Sequence, residues 1–267
     1  SVTVGYDSRV SSEHISRTVT RTLASLGVKV YDCGLSSTPS MFMSVINFGV
    51  DAAVEITASH LPMEMNGLKF FTRQGGFSGN DIKEILSYAE KNEYQLKSET
   101  QKAEKLDNMK KYCKELCDMI KEGVNAPNYD RPLENLKIVV DAGNGVGAFY
   151  AEKVLAVLGA DISGSQFLEP DGMFPNHIPN PEDKTAMEAI TESVKLAKAD
   201  LGIIFDTDVD RAGAVLSDGS ELNRNRIIAM LAAILLREHP GTTIVTDSIT
   251  STGLAKFIEA KGGVHHR

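Results

Sequence analysis

Short apolar runs alternate with longer amphipathic stretches along this chain, and one arrangement recurs three times. Val2-Thr3-Val4-Gly5-Tyr6-Asp7 is an apolar run ending in an acid. A polar loop follows, then a helical stretch from about Glu13 to Leu26, Gly27, and a second apolar run from Val28 to Tyr31. The second copy runs from Leu136 to Asp141 through a Gly-rich loop, a helical stretch from about Ala148 to Leu158, Gly159 and Ala160-Asp161-Ile162. The third starts at Thr243-Ile244-Val245-Thr246-Asp247, passes Ser251-Thr252-Gly253 into a helix, and reaches Gly262-Gly263. Each glycine suits a left-handed helix C-cap. Strands alternating with helices predict mostly parallel sheets covered by helices, and repetition at this spacing predicts duplicated domains rather than a solenoid.

The expected fold class is therefore α/β, with repeated mixed-sheet domains and an incomplete third. Apolar residues at Leu106, Met109, Cys113, Leu116 and Ile120 mark one buried face of a helical stretch over 98–123. The Pro-containing linker 126–132 and the His239-Pro240-Gly241 break place the domains at 1–125, 126–239 and 240–267. Ligands of such sheets gather at the carboxyl ends of strands, so the loops after Asp7, Ile56, Asp141 and Phe205 are the places to search.

Composition narrows the chemistry. The 267 residues carry a net charge of −8, which disfavours general nucleic-acid binding because phosphate neutralisation needs clustered Lys and Arg. No apolar run is long enough to span a bilayer. Three cysteines make no disulfide framework and read as reduced cytoplasmic thiols. The chain starts without Met and inside an apparent strand, so it reads as a trimmed piece.

Four segments carry candidate chemistry. In Ile56-Thr57-Ala58-Ser59-His60-Leu61-Pro62, a strand delivers a serine to its loop; alone, this is also ordinary turn chemistry, and a serine hydroxyl needs activation. In Leu201 to Arg211, an apolar strand delivers Asp206, Asp208 and Asp210 at alternate positions. Three carboxylates so close repel without a cation, and hard oxygen ligands suit Mg2+ or Ca2+. The EF-hand pattern fails, with Arg211 at its glycine position and Ser217 at its glutamate position. Arg211, Arg9 and Lys69 are surface bases taken singly and an anion pocket taken together. The third segment, Asp141 to Ala148, loosely fits a dinucleotide fingerprint, but the ribose acid is misplaced, so its glycines read as a tight turn and helix packing. The fourth, Glu169 to Pro181, is an extended proline-rich loop.

Together these motifs resemble the α-D-phosphohexomutase family, which includes phosphoglucomutase, phosphomannomutase and phosphoglucosamine mutase. The resemblance rests on Val4 to Arg9, Thr57 to Pro62, Asn66-Gly67-Leu68-Lys69, Gly172 to Pro181 and Asp206-x-Asp208-x-Asp210-Arg211, in order. It departs at Leu61, where the commonest family loop has Asn. It implies a phosphoserine at Ser59 and one Mg2+ on Ser59, Asp206, Asp208 and Asp210. Arg211 and Arg9 would hold phosphoryl oxygens, and Lys69 would act as general acid/base with His60 assisting. Hexose 1- and 6-phosphates would be the substrates, glucose 1,6-bisphosphate the activating intermediate, and the location cytoplasmic, as monomer or homodimer. Family members have four domains, so a chain of this extent is expected to turn over poorly alone. Two alternatives stay open: a non-catalytic sugar-phosphate sensor, and an aspartyl phosphatase using Asp206.

Overall fold

A computed structural model describes residues 1–91 and 102–267. In the first half, β1 (Val2–Tyr6), α1 (Ser12–Ser25), β2 (Val30–Leu35), α2 (Thr38–Phe48) and β3 (Ala52–Ile56) alternate strictly. β4 (Leu68–Thr72), β5 (Gly75–Gly76), α3 (Gly79–Lys91), β6 (Glu104–Lys105) and α4 (Asn108–Val124) follow. Six strands form one sheet in the order β5-β4-β3-β1-β2-β6. β1 pairs parallel with both β2 and β3, while β4 runs antiparallel to β3, so the sheet is mixed. Its two faces are packed separately. Val4, Val54 and Ile56 meet α1, and Ala53 meets Met41 and Val45 of α2.

The second unit contains β7 (Ile138–Asp141), a π-helical turn (Tyr150–Leu155), α5 (Lys184–Ala197), β8 (Leu201–Phe205) and β9 (Ala212–Leu216). β7 and β8 are parallel and β9 returns antiparallel. β7 is buried throughout, as expected for a strand covered on both faces. The strand expected at Ala160-Asp161-Ile162 shrinks to a single bridge between Lys137 and Asp161. The Asp161 carboxylate there accepts the Ser163 N–H, which turns the chain away at once.

α4 presents the expected face: Met109, Cys113, Leu116 and Ile120 all join a core with Ile138, Val140 and Phe149. Leu106 precedes the helix, whose N-cap is Asp107, and residues 98–101 of the expected stretch lie outside the described residues. α4 thus closes the first half of the chain yet packs on the core of the second.

The last unit comprises α6 (Arg224–Glu238), β10 (Thr243–Val245), α7 (Thr252–Ala260) and β11 (Val264–His266), with the two strands parallel. Ala232 and Leu236 of α6 bury against Leu254 and Ile258 of α7. Packing therefore groups α6 with the third unit, although a boundary at 239/240 would leave it in the second. No helix among the described residues is long and apolar enough to cross a membrane.

Candidate functional site

Five element ends converge where the first sheet meets the second. The C-terminal end of β3 supplies Thr57 to His60, that of β1 supplies Asp7 to Arg9, and that of β8 supplies Asp206 to Asp210. The start of β4 supplies Lys69, and the N-terminus of α2 supplies Thr38.

Ser59 adopts φ +52°, a left-handed conformation uncommon for a residue with a Cβ. Its N–H donates to Thr57 Oγ1 at 2.8 Å, and the Leu61 N–H donates to the Ala58 carbonyl at 3.0 Å. The decisive support comes from Arg9. Its guanidinium donates to the carbonyls of Ser59 (2.5 Å), Leu61 (2.5 Å), Pro62 (2.6 Å) and Met65 (3.1 Å), with Nε 3.3 Å from Asp7. Arg9 is 2% exposed, and its ring neighbour Phe174 lies 5.5 Å below the guanidinium carbon. Arg9, expected to hold phosphoryl oxygens, is here turned to the loop itself. Its donors are spent on the backbone of the serine loop, and it shapes that loop from beneath.

The three aspartates come together as expected, each offering an oxygen within 4.8 Å of the others. Asp206 and Asp208 are fully buried. Asp206 Oδ1 accepts the Arg211 N–H at 3.0 Å, and Oδ2 accepts the Ser59 hydroxyl at 2.8 Å. Burial first, then the Asp208 and Asp210 charges, push the Asp206 carboxyl up to about 7. Asp208 moves the other way. Burial would raise it, but the Lys69 ammonium and the Thr38 hydroxyl hold it below the usual carboxylate range. Lys69 Nζ lies 2.6 Å from Asp208 Oδ2 and 2.7 Å from Asp210 Oδ2. Asp208 Oδ1 is buried without a partner. The loop carries Val209 at φ +64°, a strained value for a β-branched residue.

These residues fit a hard divalent cation. A mutually repelling carboxylate triad, one orphaned buried oxygen and a neighbouring hydroxyl form an all-oxygen donor set.

His60 lies within 3.5 Å of Ser59 Oγ, and its Nδ1 is 2.7 Å from the Arg211 guanidinium. A guanidinium only donates, so Nδ1 accepts and the imidazole proton sits on Nε2. Burial and the Arg211 charge both pull this histidine below its ordinary value. His60 thus ties the Arg211 guanidinium to the residue next to the serine. Beside Arg211 a cleft of about 1150 Å3 opens between α5, β9 and the start of α6, with Lys184, Lys195 and Arg224 among its lining residues.

Thr38 was not legible as a site residue. It donates its hydroxyl to Asp208 Oδ2 at 2.5 Å and its N–H to the Asp208 carbonyl at 2.9 Å. Ser37-Thr38-Pro39-Ser40 carries the signature of a helix start, and Ser37 and Ser40 form the reciprocal capping box. That signature locates the helix but not what its first turn faces.

The Gly-rich and proline-rich loops act as supports. A Cβ on Gly145 would lie 2.6 Å from the Thr207 carbonyl oxygen, and the Val146 N–H donates to that same oxygen at 2.9 Å. The loop read as a tight turn and packing element thus props the aspartate loop directly. His177 of the proline-rich loop bonds Asp141 at 3.0 Å and the Ile178 carbonyl at 2.9 Å. Burial would lower its pKa, but the Asp141 carboxylate outweighs that and raises it.

Two family models match in tandem: phosphoglucomutase/phosphomannomutase alpha/beta/alpha domain I over residues 1–96, and domain II of the same family over 110–219. A phosphomannomutase of Escherichia coli is 31% identical over 270 residues, covering 98% of this chain and 58% of its own length. A phosphoglucomutase of Neisseria meningitidis serogroup B is 29% identical over 262 residues, covering 98% of this chain and 55% of its own length. A crystal structure of a phosphoglucomutase/phosphomannomutase family protein from Burkholderia thailandensis superposes with TM-score 0.87 at 29% identity, over 99% of this chain and 57% of that one. The chain spans a little over half the length of these relatives.

Proposed function

The chain belongs to the phosphoglucomutase/phosphomannomutase family, and we propose that it carries the phosphoryl-transfer centre of a hexose-phosphate mutase working through Ser59. The observation that carries this reading is the 2.8 Å hydrogen bond from the Ser59 hydroxyl to Asp206, which seats the serine inside the aspartate cluster. An aspartyl phosphatase would give that serine no role.

In this reading a phosphoryl group rests on Ser59 Oγ. Its P–O bond to the serine breaks as a bond forms to a hydroxyl of a hexose monophosphate, giving a 1,6-bisphosphate such as glucose 1,6-bisphosphate. Return of the other phosphoryl group to Ser59 releases the isomeric monophosphate. Asp206, Asp208, Asp210 and the serine-borne oxygen would hold Mg2+, which supplies charge neutralisation for the transferring group. Arg211, tied to His60 at 2.7 Å, would grip the equatorial oxygens. Arg9 keeps the serine loop in its left-handed turn through four carbonyls, so the nucleophile needs little reorganisation. Lys69 is the candidate general acid/base, giving a proton to Ser59 Oγ as the phosphoryl group leaves and recovering one from the sugar hydroxyl that receives it. Burial would lower its pKa, but Asp208 and Asp210 hold the ammonium above its ordinary value, so it begins as the acid. Cytoplasmic location and a hexose 1-/6-phosphate substrate pair complete the proposal.

The test is phosphosite mass spectrometry on the intact protein incubated with Mg2+ and glucose 1,6-bisphosphate. The expected result is phosphate on Ser59 that disappears on adding glucose or mannose monophosphate. A protein that turns over substrate while Ser59 stays unmodified would overturn the assignment.

A further inference from the structure

Glu55 has no place in the mechanism above, yet it is held at a cost. It sits at the centre of the first sheet, 0% exposed, and neither carboxyl oxygen has a partner. A buried carboxyl left without hydrogen bonds is costly, and side chains of this kind persist where something uses them. The fold has made room for it. Gly5, its neighbour on β1, lacks the side chain that would collide with it; a Cβ there would lie 2.8 Å from Glu55 Oε2. Burial, followed by the Asp7 and Asp208 charges, drives the Glu55 carboxyl far above its ordinary range, while the Lys69 charge opposes the rise.

Lys69 is the residue directly opposite Glu55 in the antiparallel β3–β4 ladder. Opposed residues project on the same face of a sheet with Cβ atoms about 5 Å apart, and a lysine side chain spans that distance. Both therefore lie on the face covered by α2. At present the Lys69 ammonium is drawn away from Glu55, seated on Asp208 and Asp210 at 2.6 and 2.7 Å. These are two of the three carboxylates that form the candidate cation site. The ammonium holds Oδ2 of both aspartates and leaves Asp208 Oδ1 free, so a divalent ion bound by these carboxylates would lie beside a like charge, and that repulsion favours moving Lys69 away.

We propose that Lys69 is a two-position cation and that Glu55 is its second seat. Without a metal ion the ammonium bridges Asp208 and Asp210. With the ion in place it withdraws across the ladder onto Glu55. The inference rests on the assignment of the three aspartates as ligands, and it adds a positioning residue to that site. Glu55 releases any proton it holds to solvent as the ammonium arrives, and so lowers the cost of evicting Lys69 and strengthens metal binding without touching the ion.

The test is a double-mutant cycle read by Mn2+ binding, followed by electron paramagnetic resonance of the free ion, so that no turnover is required. Lys69→Met removes the like charge and should tighten Mn2+ by roughly tenfold, the size of a charge-assisted hydrogen bond. Glu55→Gln keeps the shape but removes the seat and should weaken Mn2+ by a similar factor, roughly tenfold. The double variant should match Lys69→Met, because a seat matters only when there is a lysine to occupy it. Equal loss from Glu55→Gln in both backgrounds would show a plain through-space charge effect and overturn the proposal, as would no loss in either. Failure of the underlying metal reading is distinguishable, because the unaltered chain would then bind no Mn2+ at all. A third readout uses the unaltered protein. The 15N resonance of the Lys69 ammonium should shift on adding Mg2+ and stay protected from solvent exchange; an ammonium released to solvent would overturn the second seat.

Discussion

Asp206 shows how one carboxyl can be prepared for a cation by its neighbours. Buried, and facing Asp208 and Asp210, it is pushed up to about 7. Between the ordinary aspartate range and that value, the folded chain holds a proton that the unfolded chain has released. Metal-free stability therefore falls as pH rises through this window. A divalent ion needs the ionised form, so its affinity rises through the same window and levels off above it. Mn2+ affinity should be roughly tenfold weaker at about pH 6 than at about pH 8. The stabilisation of the melting temperature by Mg2+ should be correspondingly larger at the higher pH. Equal affinities at the two pH values would show that Asp206 is ionised throughout and contradict this account. At the same scale, Arg9 shows what residue-type reasoning misses. An arginine beside a serine loop reads as a phosphate fork, but its partners are backbone carbonyls, which leave no mark in the sequence.

At the scale of elements, apolar runs bounded by acids and glycines were enough to place β1, α1, β7, β8, β10 and α7, because each buries a face whose period survives in the sequence. The same logic failed where burial was decided by distant chain. Ala160-Asp161-Ile162 has a strand's composition, yet Asp161 turns it outward within two residues. α6 lies before the expected boundary at 239/240, yet it packs on α7 beyond it. The Gly-rich loop was legible as a tight turn but not as a prop for the aspartate loop. Gly145→Ala tests that prop. The new methyl would meet backbone atoms of Thr207 at 2.6 and 2.8 Å, and backbone cannot swing aside as a side chain can. A loss of about 1–3 kcal/mol is expected, as for overpacking elsewhere, accompanied by weaker Mn2+ binding because Thr207 sits between Asp206 and Asp208, two of the proposed ligands. Unchanged melting and unchanged Mn2+ affinity would show that the close approach is slack.

At the scale of the molecule, the site belongs to neither sheet. Ser59 comes from the first and Asp206 from the second, 147 positions apart in sequence. Their separation must be held to hydrogen-bond tolerance by contacts between the units. The proline-rich loop contributes from one side, where Gly172 approaches the Ser8–Val10 backbone so closely that a Cβ would lie 2.3 Å from the Val10 nitrogen. Thr38 contributes from the other, 170 positions from Asp208, with its hydroxyl and its N–H both on that residue. The hydroxyl bond is buried and ends on a carboxylate, a class of hydrogen bond whose removal costs about 1.5–3 kcal/mol. Thr38→Val keeps the shape of the side chain and the N–H bond while deleting that donor. It leaves Asp208 Oδ2 with Lys69 alone and loosens the link between the sheets. Urea unfolding should show a lower midpoint, and amide exchange should speed up in the aspartate loop more than in the interior of either sheet. Thr38→Ser, which restores the donor, should recover most of both effects. If the valine variant instead exchanged and unfolded like the unaltered chain, the two sheets would be held in register without this contact. The geometry of Ser59 against Asp206 would then come from the proline-rich loop and from α4, which packs on the core of the second unit.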